Sequence, residues 1–349
     1  MSKGTLQRSF GTLMLLFIIL HDLFSQSREP SSIRMMFYNV ENFFDIYDDS
    51  LRDDNDLLPQ GLMRWNYKRY KQKVISIYKV ITAAGEWSPP AVIGFWEVEK
   101  RSVLEDLIAD TYLSKYDYGI VHEDSPDRRG IDVCLIYRKD LVNLLDYHYL
   151  LPKDPIGKES RTRSVLYSIW LISDDTIHLF LNHWPSRRGG VLAGEATRKS
   201  ISQMLKDKVE SLMEGTKGQV KIIVAGDFNC SPEDQEISNL LGKNPDSPGL
   251  INLSEHYSEK GEGSYRYMGT WEMLDQVMVS EWLINCDRGI NTSEELFRIF
   301  NPGFLLRKDQ KFPGVSPFST YLGFRYQGGY SDHLPVLLDL RIKSVNQMK

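Results

Sequence analysis

The sequence predicts a single α/β domain in which layered sheets are flanked by helices, and three observations lead to this prediction. Short runs rich in β-branched and aromatic residues recur, and several are apolar almost throughout, as in strands buried on both faces. Between them, apolar residues repeat at three- and four-residue steps, which is typical of amphipathic helices. No repeat, low-complexity tract or linker divides the chain after Ile33. This alternation is typical of layered α/β folds.

The predicted elements follow from these patterns. Amphipathic spacing predicts helices over 67–81 and 201–212. A third helix is expected after Phe228, with Ser231 as its N-cap, Pro232 at its first position and Asp234 three residues beyond the cap. The segment 288–330 is predicted to form long irregular loops. The apolar runs predict strands over residues 33–40, 91–98, 131–138, 164–171, 176–184, 220–228, 273–279 and 334–342.

Composition excludes several classes of protein. The 349 residues are 42% hydrophobic and 26% charged, which excludes disordered, collagen-like and polytopic membrane proteins. Lys and Arg number 42 against 47 Asp and Glu, and the net charge of −5 disfavours duplex binding through a bulk basic field. A local basic cleft for phosphates stays compatible with this charge. Three cysteines are too few and too scattered for a disulfide scaffold or a four-ligand zinc site.

The N-terminal residues have the pattern of a secretory signal. Lys3 and Arg8 come before an apolar run over 13–20, and a polar segment follows it. We therefore expect residues 1–25 to be cleaved, residues 32–343 to form the mature domain, and the protein to be exported to the periplasm or the medium. The alternative is a membrane anchor, but the apolar stretch is well short of the roughly 20 residues that span a bilayer.

Polar groups recur where the predicted strands end. Burying such groups without partners would cost several kcal/mol each, so they must pair with one another, with a metal or with a ligand. Oxygen ligands without cysteine suit Mg²⁺, Mn²⁺ or Ca²⁺ better than zinc. Each group alone has a plainer interpretation, as an Asx-turn, a solvated loop dipeptide or an exposed strand end. The groups are Asn39, Glu97, Asp227 with Asn229, Asp275, and Asp332 with His333.

In this order, the residues resemble the endonuclease/exonuclease/phosphatase superfamily, whose fold is that of pancreatic deoxyribonuclease and abasic-site endonucleases. The secreted bacterial members are the most similar, and the resemblance runs from about residue 33 to 340. It implies a four-layer α/β/β/α sandwich of two packed mixed sheets flanked by helices. Lys100 departs from the related stretch, which continues with Asn, and this affects a local helix start or a supporting contact. The matching blocks are the Asn39 strand, the Glu97 strand, 124–132, 182–190, 226–229, 274–275 and 331–335.

The resemblance implies a role for each polar group. Asn39, Glu97 and Asp332 would hold one divalent cation, Mg²⁺ or alternatively Mn²⁺ or Ca²⁺, which neutralises charge that develops on a phosphoryl group. Asp227 and Asn229 would flank the attacking water.

Two histidines are implied to handle protons. Asp275 would orient His333, which either activates water or stabilises the pentavalent phosphate. His183 would be the acid for the leaving oxygen, although a packed histidine beside Trp184 is the plainer interpretation.

Substrate contacts are expected from the loops of the same blocks. Arg129, Arg187 and Arg188 would form a positive phosphate pocket, or they would simply be solvated. Tyr267 would stack on a base or sugar, or pack at the rim.

The function indicated is an exported, divalent-metal-dependent phosphoester hydrolase, foremost an endonuclease or phosphodiesterase acting on nucleic acid. The alternative substrates are phosphoinositides, sphingomyelin-like headgroups and small phosphate esters. A hypothesis from a different class is a non-catalytic binding protein of the same fold, but a complete set of acid, base and ligand residues favours chemistry. We expect a monomer with a phosphate-ester substrate, no protein partner and no stable membrane anchor.

Overall fold

The computed structural model describes residues 32–153, 157–187, 194–242 and 249–343. The predicted signal segment 1–25 and Arg188 lie outside these ranges, so the predictions about them stay predictions. None of the helices in the described part of the chain has both the length and the apolar composition to cross a bilayer.

The bounds of the elements are as follows. The α-helices are α1 Tyr67–Gly85, α2 Arg101–Ala109, α3 Glu195–Gly215, α4 Gln235–Leu241, α5 Glu255–Glu259 and α6 Glu281–Asn285. The longer strands are β1 Ser32–Phe43, β2 Val92–Val98, β3 Tyr118–Val121, β4 Asp132–Arg138, β5 Asn143–Leu150, β6 Val165–Ile172, β7 Asp175–His183 and β8 Lys221–Asp227. They are followed by β9 Leu250–Asn252, β10 Tyr265–Tyr267, β11 Thr270–Glu272, β12 Asp275–Ser280, β13 Gly289–Asn291, β14 Phe297–Ile299, β15 Leu306–Lys308, β16 Val315–Pro317, β17 Tyr321–Leu322, β18 Arg325–Tyr326 and β19 Val336–Lys343.

Two large mixed sheets organise the molecule. The first has the strand order β13-β19-β1-β2-β4-β3, with β14 also paired to β19, and the second has the order β5-β6-β7-β8-β12-β9. Strands β1 and β2 are parallel, as are β7 and β8, whereas β4 and β12 run antiparallel to their neighbours β2 and β8. The predicted α/β class with two mixed sheets and flanking helices is confirmed.

The second sheet buries both faces. Along β8, Ile223 and Ala225 belong to the core that it shares with the first sheet, whereas Ile222 and Val224 pack with helices α3 and α4. This alternation follows from the two-residue period of a strand. Helices α1 and α2 contribute their apolar faces to the core of the first sheet. These contacts produce the layer order helix, sheet, sheet, helix.

Several details differ from the sequence predictions. All eight predicted strands overlap observed ones. Strands β3, β5, β9, β10 and β11 and helices α2, α5 and α6 were not predicted; β5 is mostly exposed and therefore has no continuous apolar run. The third predicted helix begins at Gln235 instead of Pro232, because the Asp234 carboxylate accepts a hydrogen bond from the Ser231 amide (2.6 Å) and closes a turn first. The prediction of irregular loops over 288–330 was wrong in part, because this segment contains the short strands β13 to β18.

Candidate active site

The parallel strands β1 and β2 bring Asn39 and Glu97 to the same sheet edge. Asn39 lies opposite Trp96, and the pairing register shifts just beyond this point in both strands. Glu97 has a positive φ of 65°, which is rare for a residue with a side chain and costs conformational energy. Such bulges redirect side chains, and they are common beside active sites.

The second sheet contributes a row of three side chains. His183 at the end of β7 is the registered partner of Asp227 at the end of β8. Asp275 at the start of β12 is the partner of Asp227 on its other side. Neighbouring registered residues point to the same face of a sheet, so the three groups converge.

Contacts between the sheets join these groups into one cluster. The Asn39 amide donates to Asp227 Oδ2 at 3.1 Å. Glu97 Oε1 lies 3.9 Å from His183 Nε2, and Asp227 Oδ2 lies 3.8 Å from Nε2 of both His183 and His333. The structure therefore brings the predicted residues of both sheets together around Asp227.

Asp275 and His333 form a buried hydrogen-bonded pair. His333 Nδ1 lies 2.6 Å from Asp275 Oδ2, and the same carboxylate accepts from Ser264 Oγ at 2.6 Å and from Trp96 Nε1 at 3.2 Å. The ring of Tyr265 lies against the imidazole, with the centroids 4.7 Å apart. Because Asp275 accepts the Nδ1 proton, Nε2 is the nitrogen that faces Asp227.

The surroundings of His333 and Asp227 shift both pKa values upward. Burial lowers the pKa of His333, but the charges of Asp275 and Asp227 and the hydrogen bond to Asp275 outweigh it, so the pKa lies well above its ordinary value. Burial raises the pKa of Asp227 to about 7; the positive charge of His333 opposes the rise and the charge of Asp275 adds to it. The raised pKa favours the charged imidazole of His333, and a pKa of about 7 lets the Asp227 carboxyl change its protonation state near neutral pH.

Asn229 is placed by the turn that follows β8. Its amide N–H donates to Asp227 Oδ1 at 3.0 Å, and its side chain donates to the Trp184 carbonyl at 3.0 Å. Its φ of 48° lies in the left-handed region, where asparagine is more tolerated than most residues. The turn predicted for Gly-Asp-Phe-Asn is present, and it keeps Asn229 beside Asp227.

His183 is held by an arginine that the sequence analysis missed. Arg163 Nε donates to His183 Nδ1 at 3.3 Å, and Arg163 Nη2 lies 3.0 Å from His183 Nε2. Burial lowers the pKa of His183 well below its ordinary value, and the charges of Arg163, Arg129 and His333 lower it further. A neutral imidazole can donate a hydrogen bond to a phosphate oxygen but has no readily transferred proton, so the lowered pKa disfavours the predicted role of His183 as acid, which stays a prediction.

Arg163 also links the site to the loop before β4. Its Nη1 lies 3.3 Å from Asp127 Oδ2, and Asp127 Oδ1 accepts from the Arg129 amide at 2.9 Å. Arg163 comes two residues before the start of the apolar strand β6, so a search at strand starts as well as strand ends would have found it.

The predicted substrate residues lie in different settings. Arg129 is half-buried near Glu97: burial raises the pKa of Glu97, but Arg129, His333 and Arg163, together with the Asn42 amide, bring it below its ordinary value. Tyr267 is 54% exposed. Arg187 instead pairs its guanidinium with Asp234.

The donor set on the Glu97 side fits a hard divalent cation. Asn39 Oδ1 accepts one hydrogen bond, from the Glu41 amide at 2.9 Å, and keeps a second lone pair. The lowered pKa keeps Glu97 ionised, and Asp332 adds a partly exposed carboxyl. Amide and carboxylate oxygens suit Mg²⁺, Mn²⁺ or Ca²⁺.

A second donor set lies within the same site. Asp227, Asp275 and His333 offer donor atoms within 4.8 Å of one another. An ion bound by all three would break the 2.6 Å hydrogen bond between Asp275 and His333. For this reason we keep the cation assignment on the Glu97 side.

Lys100 takes a structural role at the start of α2. It is the N-cap residue but makes no capping hydrogen bond with its side chain. Its ammonium group pairs with Asp45 at 2.7 Å and with Glu99 at 3.2 Å. The lysine therefore replaces a helix cap with an ion-pair link between the segments that follow β1 and β2.

Several solved structures are similar to this chain in fold. The human Nocturnin catalytic domain has 17% identity and a TM-score of 0.54, with 90% of this chain and 95% of that chain covered. An endonuclease/exonuclease/phosphatase family protein from Bacteroides thetaiotaomicron has 14% identity and a TM-score of 0.53, with 91% and 100% covered. The mannosyl-6-phosphatase of Bacteroides thetaiotaomicron VPI-5482 has 12% identity and a TM-score of 0.54, with 89% and 100% covered.

These identities establish similarity of fold, and the family rests on the sequence itself. No curated protein gives a significant match. A family model described as the Endonuclease/Exonuclease/phosphatase family matches residues 34–342. Because that match spans nearly all of the described residues, the chain belongs to the endonuclease/exonuclease/phosphatase family of phosphoester hydrolases.

Proposed function

We propose that this protein is an exported, divalent-metal-dependent phosphodiesterase that cleaves nucleic-acid phosphodiesters by in-line attack of water. One observation carries the proposal. The buried Asp275–His333 pair faces Asp227 across 3.8 Å, at the edge that Asn39 and Glu97 also reach. A positioned proton acceptor, a charged donor and an oxygen-ligand set at one point are the parts that hydrolysis of a phosphodiester needs.

The residues of the second sheet handle the proton and the charge. Asp227 is placed to accept a proton from the attacking water, and Asn229 beside it is placed to position that water. His333, charged and oriented by Asp275, donates from Nε2 to a phosphoryl oxygen on which negative charge develops. His183 contributes the N–H of a neutral ring on the opposite side of Asp227.

The residues of the first sheet would hold the cation. Asn39, Glu97 and Asp332 are the proposed ligands. A divalent cation bound there polarises a phosphoryl oxygen and neutralises charge in the transition state. The positive field of Arg129 and Arg163 at Glu97 adds to the attraction for a phosphate group.

Two features support nucleic acid as the substrate class. The exposed ring of Tyr267 lies two residues from Tyr265, which packs on His333, so a base adjoining the reacting phosphate has an aromatic surface nearby. The positive groups are local, which suits binding of a phosphate in spite of the net charge of −5.

Hydrolysis of small phosphate esters is the second candidate. The acidic net charge weakens binding to a long polyanion, and the mannosyl-6-phosphatase shares the fold. The two candidates differ in the size of substrate that they predict.

A substrate panel separates them. The full chain would be incubated in Mg²⁺ with plasmid DNA, single-stranded DNA, RNA, inositol phosphates, sphingomyelin and a sugar phosphate. We expect turnover of nucleic acid to exceed that of the other substrates by far. Faster release of phosphate from the monoesters would contradict the nuclease proposal and favour the second candidate.

Variants test the ligand assignment. Glu97→Gln and Asp332→Asn should abolish Mg²⁺-dependent turnover while the fold persists, because each removes one anionic ligand. Glu105→Gln, an exposed position on α2, is the matched control and should keep full activity. Full activity of either ligand variant at saturating Mg²⁺ would overturn the assignment.

The export part of the proposal rests on the sequence of residues 1–25. Cleavage predicts a mature chain that starts near Gln26, which N-terminal sequencing of the protein from its native host would detect. An intact start at Met1 or Ser2 would overturn it.

A further inference from the structure

The loop between β3 and β4 carries a second cluster of metal-binding side chains. His122 follows β3, Asp124 lies two residues on, and Asp132 begins β4. His122 Nδ1 lies 3.9 Å from Asp124 Oδ1, and His122 Nε2 lies 3.3 Å from Asp132 Oδ2. One donor atom from each residue falls within 4.8 Å of the others.

Two of these donor atoms are buried without a hydrogen-bond partner. The His122 and Asp132 side chains are 3% and 1% exposed. Within the described ranges, His122 Nε2 and Asp132 Oδ2 have no hydrogen bond, even though they face each other. The Ser125 amide donates to the other oxygen of Asp132 at 2.8 Å, and this fixes the carboxylate in place. Buried polar atoms normally have partners, so this pair needs an explanation.

A shared cation satisfies both atoms. Zinc binds imidazole nitrogen and carboxylate oxygen at about 2.0–2.2 Å, and tetrahedral bonds of that length put two donor atoms about 3.3–3.5 Å apart. The observed separation of 3.3 Å matches this spacing. The Asp124 carboxylate lies nearer the other ring nitrogen, 3.9 Å from His122 Nδ1, and its side chain is 70% exposed. It would turn toward an ion on Nε2 to supply a third ligand, and water would be the fourth.

We propose that His122, Asp124 and Asp132 form a second metal site for an imidazole-preferring divalent cation of the zinc type. The site shares no residue with the oxygen-ligand set of Asn39 and Glu97, and it should also prefer a different metal. Its imidazole donor favours Zn²⁺, Co²⁺ or Ni²⁺ over Mg²⁺.

Such an ion would close the loop that reaches the active site. Its ligands stand at both ends of residues 122–132, and this loop carries Asp127 and Arg129. Asp127 forms an ion pair with Arg163, and the charge of Arg129 lowers the pKa of Glu97. Binding would therefore hold the arginine loop in its observed position.

Co²⁺ is the probe for this site, because four-coordinate Co²⁺ absorbs visible light strongly. The full chain would be titrated with Co²⁺ in a large excess of Mg²⁺, and both bound Co²⁺ and the visible spectrum would be recorded. We expect one Co²⁺ per chain with a four-coordinate spectrum, displaced by Zn²⁺. His122→Gln and Asp124→Asn should each weaken Co²⁺ binding by at least about tenfold.

Two controls make the result specific. Glu123→Gln removes the same charge one residue away and should bind Co²⁺ like the unaltered chain, and Glu97→Gln should also retain it. Circular dichroism confirms that each variant is folded. Equal affinity in the unaltered chain, His122→Gln and Asp124→Asn would overturn the proposal. No retained Co²⁺ in excess Mg²⁺, or loss in Glu97→Gln but not in Asp124→Asn, would overturn it as well.

Discussion

At the scale of single residues, the Asp275 carboxylate has the most constrained surroundings. It accepts hydrogen bonds from Trp96, Ser264 and His333, and it is fully buried. The hydrogen bond from His333 Nδ1 to Asp275 fixes the tautomer of the ring, and the Asp275 carboxylate is one of the groups that raise the pKa of His333 and favour the imidazolium. His333 and Asp275 should therefore act as one catalytic unit.

Variants of this pair should be strongly non-additive. His333→Ala and Asp275→Asn should each lower kcat by at least ~10²-fold, a typical contribution of a positioned proton-transfer group. The double variant should be little worse than either one, since each removes the same charged donor. The measurement is kcat on a phosphodiester at saturating Mg²⁺. If the two losses in kcat multiply in the double variant, His333 and Asp275 do not act as one unit.

Arg163 is the second residue whose removal should be costly, in this case for stability. Arg163→Ala leaves Asp127 buried without its ion-pair partner, which should cost about 3–5 kcal/mol of unfolding free energy. Arg161→Ala, at an exposed position two residues earlier, should stay within about 0.5 kcal/mol. Urea unfolding measures both values. Equal stability of the two variants would show that the Arg163–Asp127 pair contributes little.

At the scale of elements, much of the site follows from strand order. Asn39, Glu97, His183 and Asp227 lie at or near the ends of strands that are parallel in pairs, and the sequence shows each group after an apolar run. The sequence could therefore indicate which residues meet, but not the backbone geometry and side-chain contacts by which they do so. The bulge at Glu97 and the pairing of Arg187 with Asp234 depend on tertiary contacts that no local pattern encodes. Strand β5 was missed for a different reason: it is mostly exposed and has no continuous apolar run.

Close contact between the sheets makes Gly94 on β2 sensitive to substitution. A Cβ there would lie 2.8 Å from Leu181 Cδ1 of the facing sheet and 3.1 Å from Phe37 Cδ1. Gly94→Ala should cost about 1–3 kcal/mol through overpacking. Gly215→Ala is the matched control, because a Cβ there meets no heavy atom of the described residues within 4 Å; it should be neutral or stabilising by up to ~1 kcal/mol. A stable Gly94→Ala protein would contradict the close packing.

His178 on strand β7 should make the stability of the protein depend on pH. Burial, with the nearby Lys208 charge, lowers the pKa of His178, whose Nδ1 lies 2.7 Å from the Tyr167 hydroxyl. The unfolded chain then binds more protons than the folded one between the lowered pKa and about 6.5, so stability falls as the pH drops through this window.

His178→Gln should therefore lose less stability than the unaltered chain between neutral and acidic pH. Thermal unfolding at a series of pH values measures the slopes. An unchanged slope in His178→Gln would assign the acid sensitivity to other groups.

At the scale of the whole molecule, an acidic protein carries a locally positive cluster, which under the proposed function would attract phosphate. The net charge is −5, yet the carboxyl of Glu97 is surrounded by Arg129, Arg163 and the charged His333. Long-range attraction of nucleic acid is therefore expected to be weak, and under the proposed function binding would depend on the local field and the cation. The sandwich aligns the strand ends, and the cluster at those ends would act with a bound cation.

The direct test of this account is hydrolysis of bis-p-nitrophenyl phosphate by the full chain, in Mg²⁺ and after removal of metal with EDTA. The account predicts turnover in Mg²⁺ that EDTA abolishes, that added Mg²⁺ restores, and that Asp275→Asn lowers at least ~10²-fold under the same conditions. Turnover that persists in EDTA, or no turnover with any divalent cation on this diester and on nucleic acid, would contradict it.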